Sequence, residues 1–397
     1  MELSERAKAL KPSPTLSITA LANKLKAEGK DVIGFGAGQP DFDTPDNIKE
    51  AAKRAIDNGF TKYTPSAGIN ELKDAIIEKF KSENGLEYKR SEIVVSSGAK
   101  DFLFNLAMVL LNPGDEVIIP SPYWVSYPDQ VEIAGGKPVI VETKEEDGFC
   151  LKADALREKI TERTKALILN SPSNPTGGAY EVKDLEEIAE VVLEKGILVI
   201  SDEIYERLVY DGYKHTSIAS LSNEMKKNTI VVNGVSKTYS MTGWRIGYGA
   251  GNEEIMSAIT KLQSQSISNP VSISQMASIE AITGDQSAVE KMRLAFDERR
   301  KFVVSKLNSI EGVKCFNPKG AFYCFPNFSG IYGKSFEGKA INSSNDLTET
   351  LLSSFNVAAV PGAAFGSDNN IRISYATGME MLEKGLKRIE DFVSALK

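Results

Sequence analysis

Strand-length apolar runs alternate with helix-length segments through the middle of this chain, and that alternation restricts the fold more than any other feature. The runs are 93–95, 116–119, 138–142, 166–169, 197–201, 230–232 and 246–250, with helical patterns such as 100–111 and 183–194 between them. Several runs are apolar throughout rather than at every second residue, which suits strands covered on both faces. Alternation of this kind builds a mostly parallel central sheet between helices, an α/β fold. The two ends read differently. Residues 1–45 hold a helical pattern at 18–28, a strand pattern at 32–35 and then the Gly/Pro-rich GFGAGQPDFDTP. From about 287 a charged helical pattern, 288–307, leads into shorter alternating strands and a last helix at 380–396. We expect a large domain at 46–286. A smaller α+β domain would be assembled from an N-terminal arm and first part, 1–45, and a remainder, 287–397.

Composition narrows the chemistry. A chain of 397 residues with 42% hydrophobic and 25% charged residues can bury a large core, which excludes a disordered chain. It has one histidine, His215, in the polar loop DGYKHTS, where a solvated side chain without chemical role is expected. A multi-His metal site is thereby excluded, and no metal is expected. Cys150, Cys315 and Cys324 lack CxxC spacing, so they provide neither a zinc site nor a disulfide framework, as suits a reducing cytosol. Proton chemistry must then come from Lys, Asp, Glu, Tyr or a cofactor. The net charge of −7 disfavours nucleic acid and anionic membrane surfaces. No apolar run has the length of a membrane span, and MELSERAKAL lacks the apolar core of a signal peptide. The expectation is a cytoplasmic protein with neither nucleic-acid nor membrane partners.

Two glycine-containing segments imitate nucleotide loops. Gly34-Phe35-Gly36-Ala37-Gly38 follows a strand pattern, but Gln39 stands where a dinucleotide loop needs its third glycine, and Pro40 and Pro45 oppose the helix that should follow. Gly333-Lys334-Ser335 ends like a P-loop, but Phe328 replaces its first glycine, so a surface turn is expected.

Four other segments lie at the C-terminal ends of proposed strands, where open α/β sheets bind ligands. Ser97-Gly98-Ala99-Lys100 opens a helix with small residues, which lets backbone N–H groups approach a phosphate; taken singly it also reads as an ordinary turn. The loop from Asn170 to Gly178, NSPSNPTGG, is stiffened by two prolines and carries two asparagines that a simple turn does not require. Asp202 in SDEIY ends an apolar strand, either as a helix cap or as a buried carboxylate that needs a cationic partner, with Tyr205 three residues on. Lys237 in SKTYSMTGWRIGY lies among small, hydroxyl and aromatic residues, which would depress its pKa if it is buried, and Arg245 follows as a candidate anion binder; taken singly the pair also reads as a solvated lysine and a surface arginine. Together they point to a ligand with a phosphate, a pyridinium nitrogen and an aldehyde, the set that pyridoxal 5′-phosphate carries.

These segments, in this order and spacing, resemble the class I/II aminotransferases of PLP fold type I. Matching motifs run from KPSPT near residue 11 to RISYATG near 372. GAGQPDFDTP, KYTPSAGI, SPYWVSYP and VPGAAFG are most similar to the bacterial aspartate/prephenate aminotransferase branch. The resemblance implies a large cofactor domain with a smaller domain beside it, and a homodimer with shared active sites. It implies that Lys237 anchors the cofactor covalently and shuttles the proton. Asp202 would keep the pyridine nitrogen protonated, Tyr205 and Asn174 would hydrogen-bond the ring oxygen, and Trp124 would stack on the ring. Gly98, Ala99, Ser236 and Arg245 match the phosphate cup, to which Tyr63 would reach from the neighbouring subunit. Arg372 matches the clamp for the substrate α-carboxylate, with Gly38 lying against the substrate. The second carboxylate would meet Lys100, Lys11, Ser13 and Thr15, the lysines matching the pattern of prephenate use. The branch commonly has Glu where this chain has Gln39, a departure that touches specificity and leaves the chemistry intact. The implied substrates are L-aspartate and 2-oxoglutarate, with prephenate as a further acceptor. Aromatic or neutral amino acids are the alternative within the family.

Overall fold

The computed structural model describes residues 2–4, 7–8 and 14–397. Lys11 and Ser13 lie outside the described residues, as does the side chain of Thr15, whose backbone belongs to the helix Pro14–Ala27.

The first strand, β1 (Ile33–Gly34), belongs to the chain's ends. The central sheet takes β2 (Ile93–Ser96), β3 (Glu116–Ser121), β4 (Lys137–Glu142), β5 (Thr164–Asn170), β6 (Leu198–Asp202), β7 (Thr229–Gly234) and β8 (Gly247–Ala250). Their order is β2-β8-β7-β6-β5-β3-β4. Each of the expected runs is a strand. All neighbours from β7 to β4 are parallel, whereas β8 runs antiparallel to both β7 and β2. The reason is the β7–β8 connection, a loop with a 3-10 turn at Thr242–Trp244. A parallel return needs a crossover, usually a helix. Because β2 opposes β8, it runs with the others, and the C-terminal ends of β2, β5, β6 and β7 share one edge with the start of β8.

The unbroken apolar runs are explained by two cores. Ala166 and Ile168 of β5 face one cluster with Val94, Leu106, Val117 and Ile230. Leu167 and Leu169 face another with Val141, Ile188, Val192 and Val199. Alternate residues thus point to opposite, equally covered faces. The edge strand β4 breaks the pattern with exposed Lys137 and Glu142, which discourages pairing with another chain.

The remaining strands are β9 (Tyr323–Cys324), β10 (Ser335–Phe336), β11 (Lys339–Ala340), β12 (Val357–Ala358), β13 (Val360–Pro361) and β14 (Ile371–Ser374). β13, β14 and β9 form an antiparallel sheet in that order. β1 pairs in parallel with β12, Ile33 opposite Val357, which joins the two ends of the chain. The helix Ser287–Asn308 buries Val289, Met292, Phe296, Val303 and Leu307. It also buries Arg300, which is held by Asp297, Asp211 and Asn317. The segment after β1 stays non-helical until Asp46, as its prolines require.

His215 overturns its expectation. Its side chain is 6% exposed, and Nε2 lies 3.0 Å from Glu203 Oε2. Glu203 also accepts from Ser201 and Ser217, so the polar-looking loop covers a buried carboxylate that needs partners.

Candidate active site

A cavity of about 500 Å³ opens at the shared strand edge. Its walls come from the loops after β1, β5, β6 and β7, the start of the helix Ala99–Leu110, and β9 and β14. Of the residues singled out from the sequence, Gly38, Ala99, Lys100, Trp124, Asn174, Asp202, Tyr205, Ser236, Lys237, Arg245 and Arg372 line it.

Asp202 ends β6 with its side chain turned inward and 4% of its surface exposed. Burial pushes its carboxyl up to about 6, while hydrogen bonds from Tyr127 Oη (2.6 Å) and the Ile204 N–H (3.3 Å) pull the other way. Its backbone carbonyl accepts from Asn170 Nδ2 at 3.0 Å. Lys237 lies in the loop after β7. Its ammonium donates to the Gly38 carbonyl at 2.6 Å and has protein packed around it, with part of the side chain open to the cavity. Its pKa is lowered to about 8, first by burial and then by the positive charges of Arg372 and Arg245.

Arg372, on β14, is 2% exposed. It donates to Asn174 Oδ1 at 2.9 Å and to the Gly36 carbonyl at 2.8 Å, and it stacks against Tyr323, 4.6 Å from the ring centre. Its Nε finds no hydrogen-bond partner among the described residues, although it is buried. An unsatisfied donor on a buried guanidinium is costly and suits an anionic ligand. Asn174 is itself fixed through its N–H to Asn170 Oδ1 at 2.9 Å. Tyr205 Oη lies 3.0 Å from Tyr323 Oη.

At the other wall, Gly98 takes φ +95°, and a Cβ there would collide with the Arg245 guanidinium. Arg245, also left-handed at φ +57°, donates to the carbonyls of Thr242 (2.9 Å) and Ser97 (3.1 Å). A bare backbone at a helix start beside a guanidinium is an anion cradle. Lys100 lies over the Trp124 ring at 4.8 Å, and its pKa is lowered by burial and by Arg245. Gln39 Oε1 accepts from Thr242 Oγ1 at 3.2 Å, which ties the departure residue to the Lys237 loop.

Among the described residues singled out from the sequence, Gly98 and Tyr63 do not line the cavity: Gly98 sits behind Ala99 against Arg245, whereas Tyr63 is 91% exposed. The cavity also holds Tyr127, Tyr323 and Asn170, which the sequence reading assigned no role. Tyr127 had a signal, because it follows Trp124 by one helical turn. Tyr323 had none, since it sits in a short strand far away in sequence.

These groups fit pyridoxal 5′-phosphate. The Gly98–Arg245 cradle suits its phosphate, the buried Asp202 carboxylate its ring nitrogen, and the depressed Lys237 amine its aldehyde. Comparison with known proteins agrees. A family model, aminotransferase class I and II, matches residues 30–389. An aspartate aminotransferase of Bacillus sp. (strain YM-2) is 53% identical over 391 residues, 98% of this chain and 99% of that protein. A probable aspartate/prephenate aminotransferase of Aquifex aeolicus is 52% identical, covering 98% of each. The crystal structure of the aspartate aminotransferase from Rhizobium meliloti superposes with a TM-score of 0.97 at 47% identity over the whole of both chains. With the buried carboxylate, the depressed lysine and an arginine beside a helix start at one cavity, and a family model spanning nearly all of the sequence, the chain belongs to the class I and II aminotransferases, enzymes that use pyridoxal phosphate.

Proposed function

We propose that the protein transfers the amino group of L-aspartate to 2-oxoglutarate in two half-reactions, and that it also accepts prephenate. The observation that carries the dicarboxylic substrate is that Arg372 and Lys100 line the same cavity as Lys237. One cation suits the α-carboxylate and the other the distal carboxylate, and the names of the Bacillus and Aquifex relatives support that reading.

The residues divide the work. Arg372 holds the α-carboxylate, with Asn174 and the Gly36 carbonyl fixing the plane of its guanidinium. Lys237 anchors the cofactor, and its Nζ, once free, takes the proton from the substrate Cα and returns it. An amine with a pKa near 8 can do both close to neutral pH. Pyridoxal phosphate, when bound, supplies the electron sink for Cα–H cleavage. Asp202 holds the ring nitrogen's proton. Tyr205 and Asn174 serve the ring oxygen, Trp124 the ring face, and Gly98, Ala99, Ser236 and Arg245 the phosphate.

Exposed Tyr63 suits a residue that reaches a neighbour's phosphate, so we assign a homodimer with shared sites. We assign 46–286 to the cofactor domain and 1–45 with 287–397 to the smaller one, a division supported by the β1–β12 pairing. Among the described residues no helix is long and apolar enough to cross a membrane. Cys150, Cys315 and Cys324 are buried free thiols, which supports a cytoplasmic location. The aromatic lining of Trp124, Tyr127 and Tyr323 favours a second reading, an aminotransferase for aromatic amino acids.

The test is a rate panel of aspartate, glutamate, phenylalanine and alanine, with 2-oxoglutarate or prephenate as acceptor, on the wild type and Lys100→Ala. Aspartate should lead, and Lys100→Ala should lower kcat/KM for aspartate far more than for alanine. Equal losses would remove Lys100 from the distal site, and a lead by phenylalanine would favour the second reading.

A further inference from the structure

We propose that Tyr127 is a positioning residue for the reaction: its hydroxyl holds the Asp202 carboxylate in the orientation that meets the cofactor's ring nitrogen. This rests on the role of Asp202 proposed above.

The geometry is specific. Asp202 has two anchors on its side chain, and they are unequal. The Ile204 N–H reaches Oδ1 at 3.3 Å, a long bond, whereas Tyr127 Oη reaches Oδ2 at 2.6 Å, the length of a charge-assisted O–H···O⁻ bond. Tyr127 is 2% exposed, so water does not compete for that carboxylate oxygen. Its phenol is held well above its ordinary pKa by burial and by the Asp202 charge, so it remains a donor at any working pH.

Placement of the phenol is rigid. Tyr127 is in the first turn of the helix Ser126–Ile133, and its N–H donates to the Trp124 carbonyl at 3.0 Å. Its ring meets the Trp124 indole edge-on, with centroids 5.2 Å apart. One turn further, Gln130 Nε2 donates to the Lys100 carbonyl at 3.0 Å, which ties this helix to the one that opens at Ala99. A single short helix therefore holds the buried carboxylate and the backbone of Lys100, and it packs the Tyr127 ring against the Trp124 indole that precedes it. Removing the hydroxyl leaves the indole in place and frees the carboxylate to rotate and to compete for the ring proton. The loss belongs to kcat, because Tyr127 grips Asp202 and not the substrate.

The test uses holoenzyme loaded with pyridoxal phosphate labelled with ¹⁵N in the ring. In Tyr127→Phe the ring-nitrogen resonance should move toward that of unprotonated pyridine. The kcat for aspartate should fall about tenfold, the loss of one hydrogen bond to a charged group, with KM within about twofold of wild type. In an Asp202→Ala background the same substitution should cost nothing further, because its effect passes through the carboxylate. Incorporating 4-aminophenylalanine at position 127, which keeps the ring and an N–H donor, should restore part of the rate and part of the resonance shift. It also serves if the phenylalanine variant does not fold, and it should then show an intermediate shift relative to wild type. An unmoved resonance in the folded variants, or an equal loss with and without Asp202, overturns the proposal. An Asp202→Ala enzyme with wild-type rate and resonance instead sinks the role of Asp202 itself, so the two failures are distinguishable.

Discussion

Lys237→Met should make the cofactor-free protein more stable at neutral pH. The native fold lowers the Lys237 pKa to about 8, against 10.5 for an exposed lysine. That difference corresponds to about 3 kcal/mol against the charged amine in the fold. The native state binds the proton less tightly than the unfolded chain. The penalty is therefore fully present below about pH 8 and fades as the pH rises toward 10.5. Methionine keeps an unbranched side chain and removes the ammonium. It also removes the bond to the Gly38 carbonyl, worth about 1 kcal/mol. The net expectation is a gain of about 2 kcal/mol at pH 7, shrinking by about that amount by pH 10. Urea denaturation of the two apoproteins at both pH values, followed by tryptophan fluorescence, measures it through the midpoints at equal m. Any packing gain from methionine is independent of pH, so the narrowing of the gap is diagnostic. A gap that stays constant between pH 7 and 10, or a less stable variant at pH 7, would refute the argument that burial and the two arginines depress this amine.

Gly98→Ala should lower affinity for pyridoxal phosphate at least tenfold in a fluorescence titration of the apoprotein, because a Cβ there displaces Arg245 and strains a positive φ. Unchanged affinity would take the cradle out of phosphate binding. Arg372→Lys should cut kcat/KM about 100-fold for aspartate and alanine alike, since it loses bidentate reach to a carboxylate that both share; a loss confined to aspartate would contradict that placement. For His215, burial opposes the proton, but the charge and hydrogen bond of Glu203 outweigh it and raise the pKa. Its stabilisation is therefore complete below about pH 6.5 and is lost as the pH rises through the raised value. The melting-temperature gap between wild type and His215→Asn should be widest at or below pH 6.5 and should close above it. A gap independent of pH would sink the ion pair.

Much of the scaffold was legible because its signals are local. The apolar runs marked every central strand, since a strand covered on both faces cannot afford polar residues on either. Lys237, Asp202, Asn174 and Gly98 were legible for a related reason: each directly follows or ends such a run, and the parallel strands carry those ends to one edge. The reversal of β8 was not legible, because the loop before it is long enough to hide whether it crosses over. His215 misled, because a polar loop in sequence covers Glu203 in space. Tyr323 carried no signal at all.

By itself, then, the sequence determined the α/β layering and the chemical kind of each group at the strand ends, since both follow from neighbours within a few residues. Only the tertiary structure decided how those groups behave. The distance from Tyr127 to Asp202 spans 75 residues of sequence, and that from Arg372 to Asn174 spans 198. The lowered pKa of Lys237 comes from burial and from the charges that β14 and the β7–β8 loop bring in, and the raised one of Asp202 comes from burial, against the pull of Lys237. Desolvation and Coulomb interactions depend on separation in space, which periodicity along a chain does not encode.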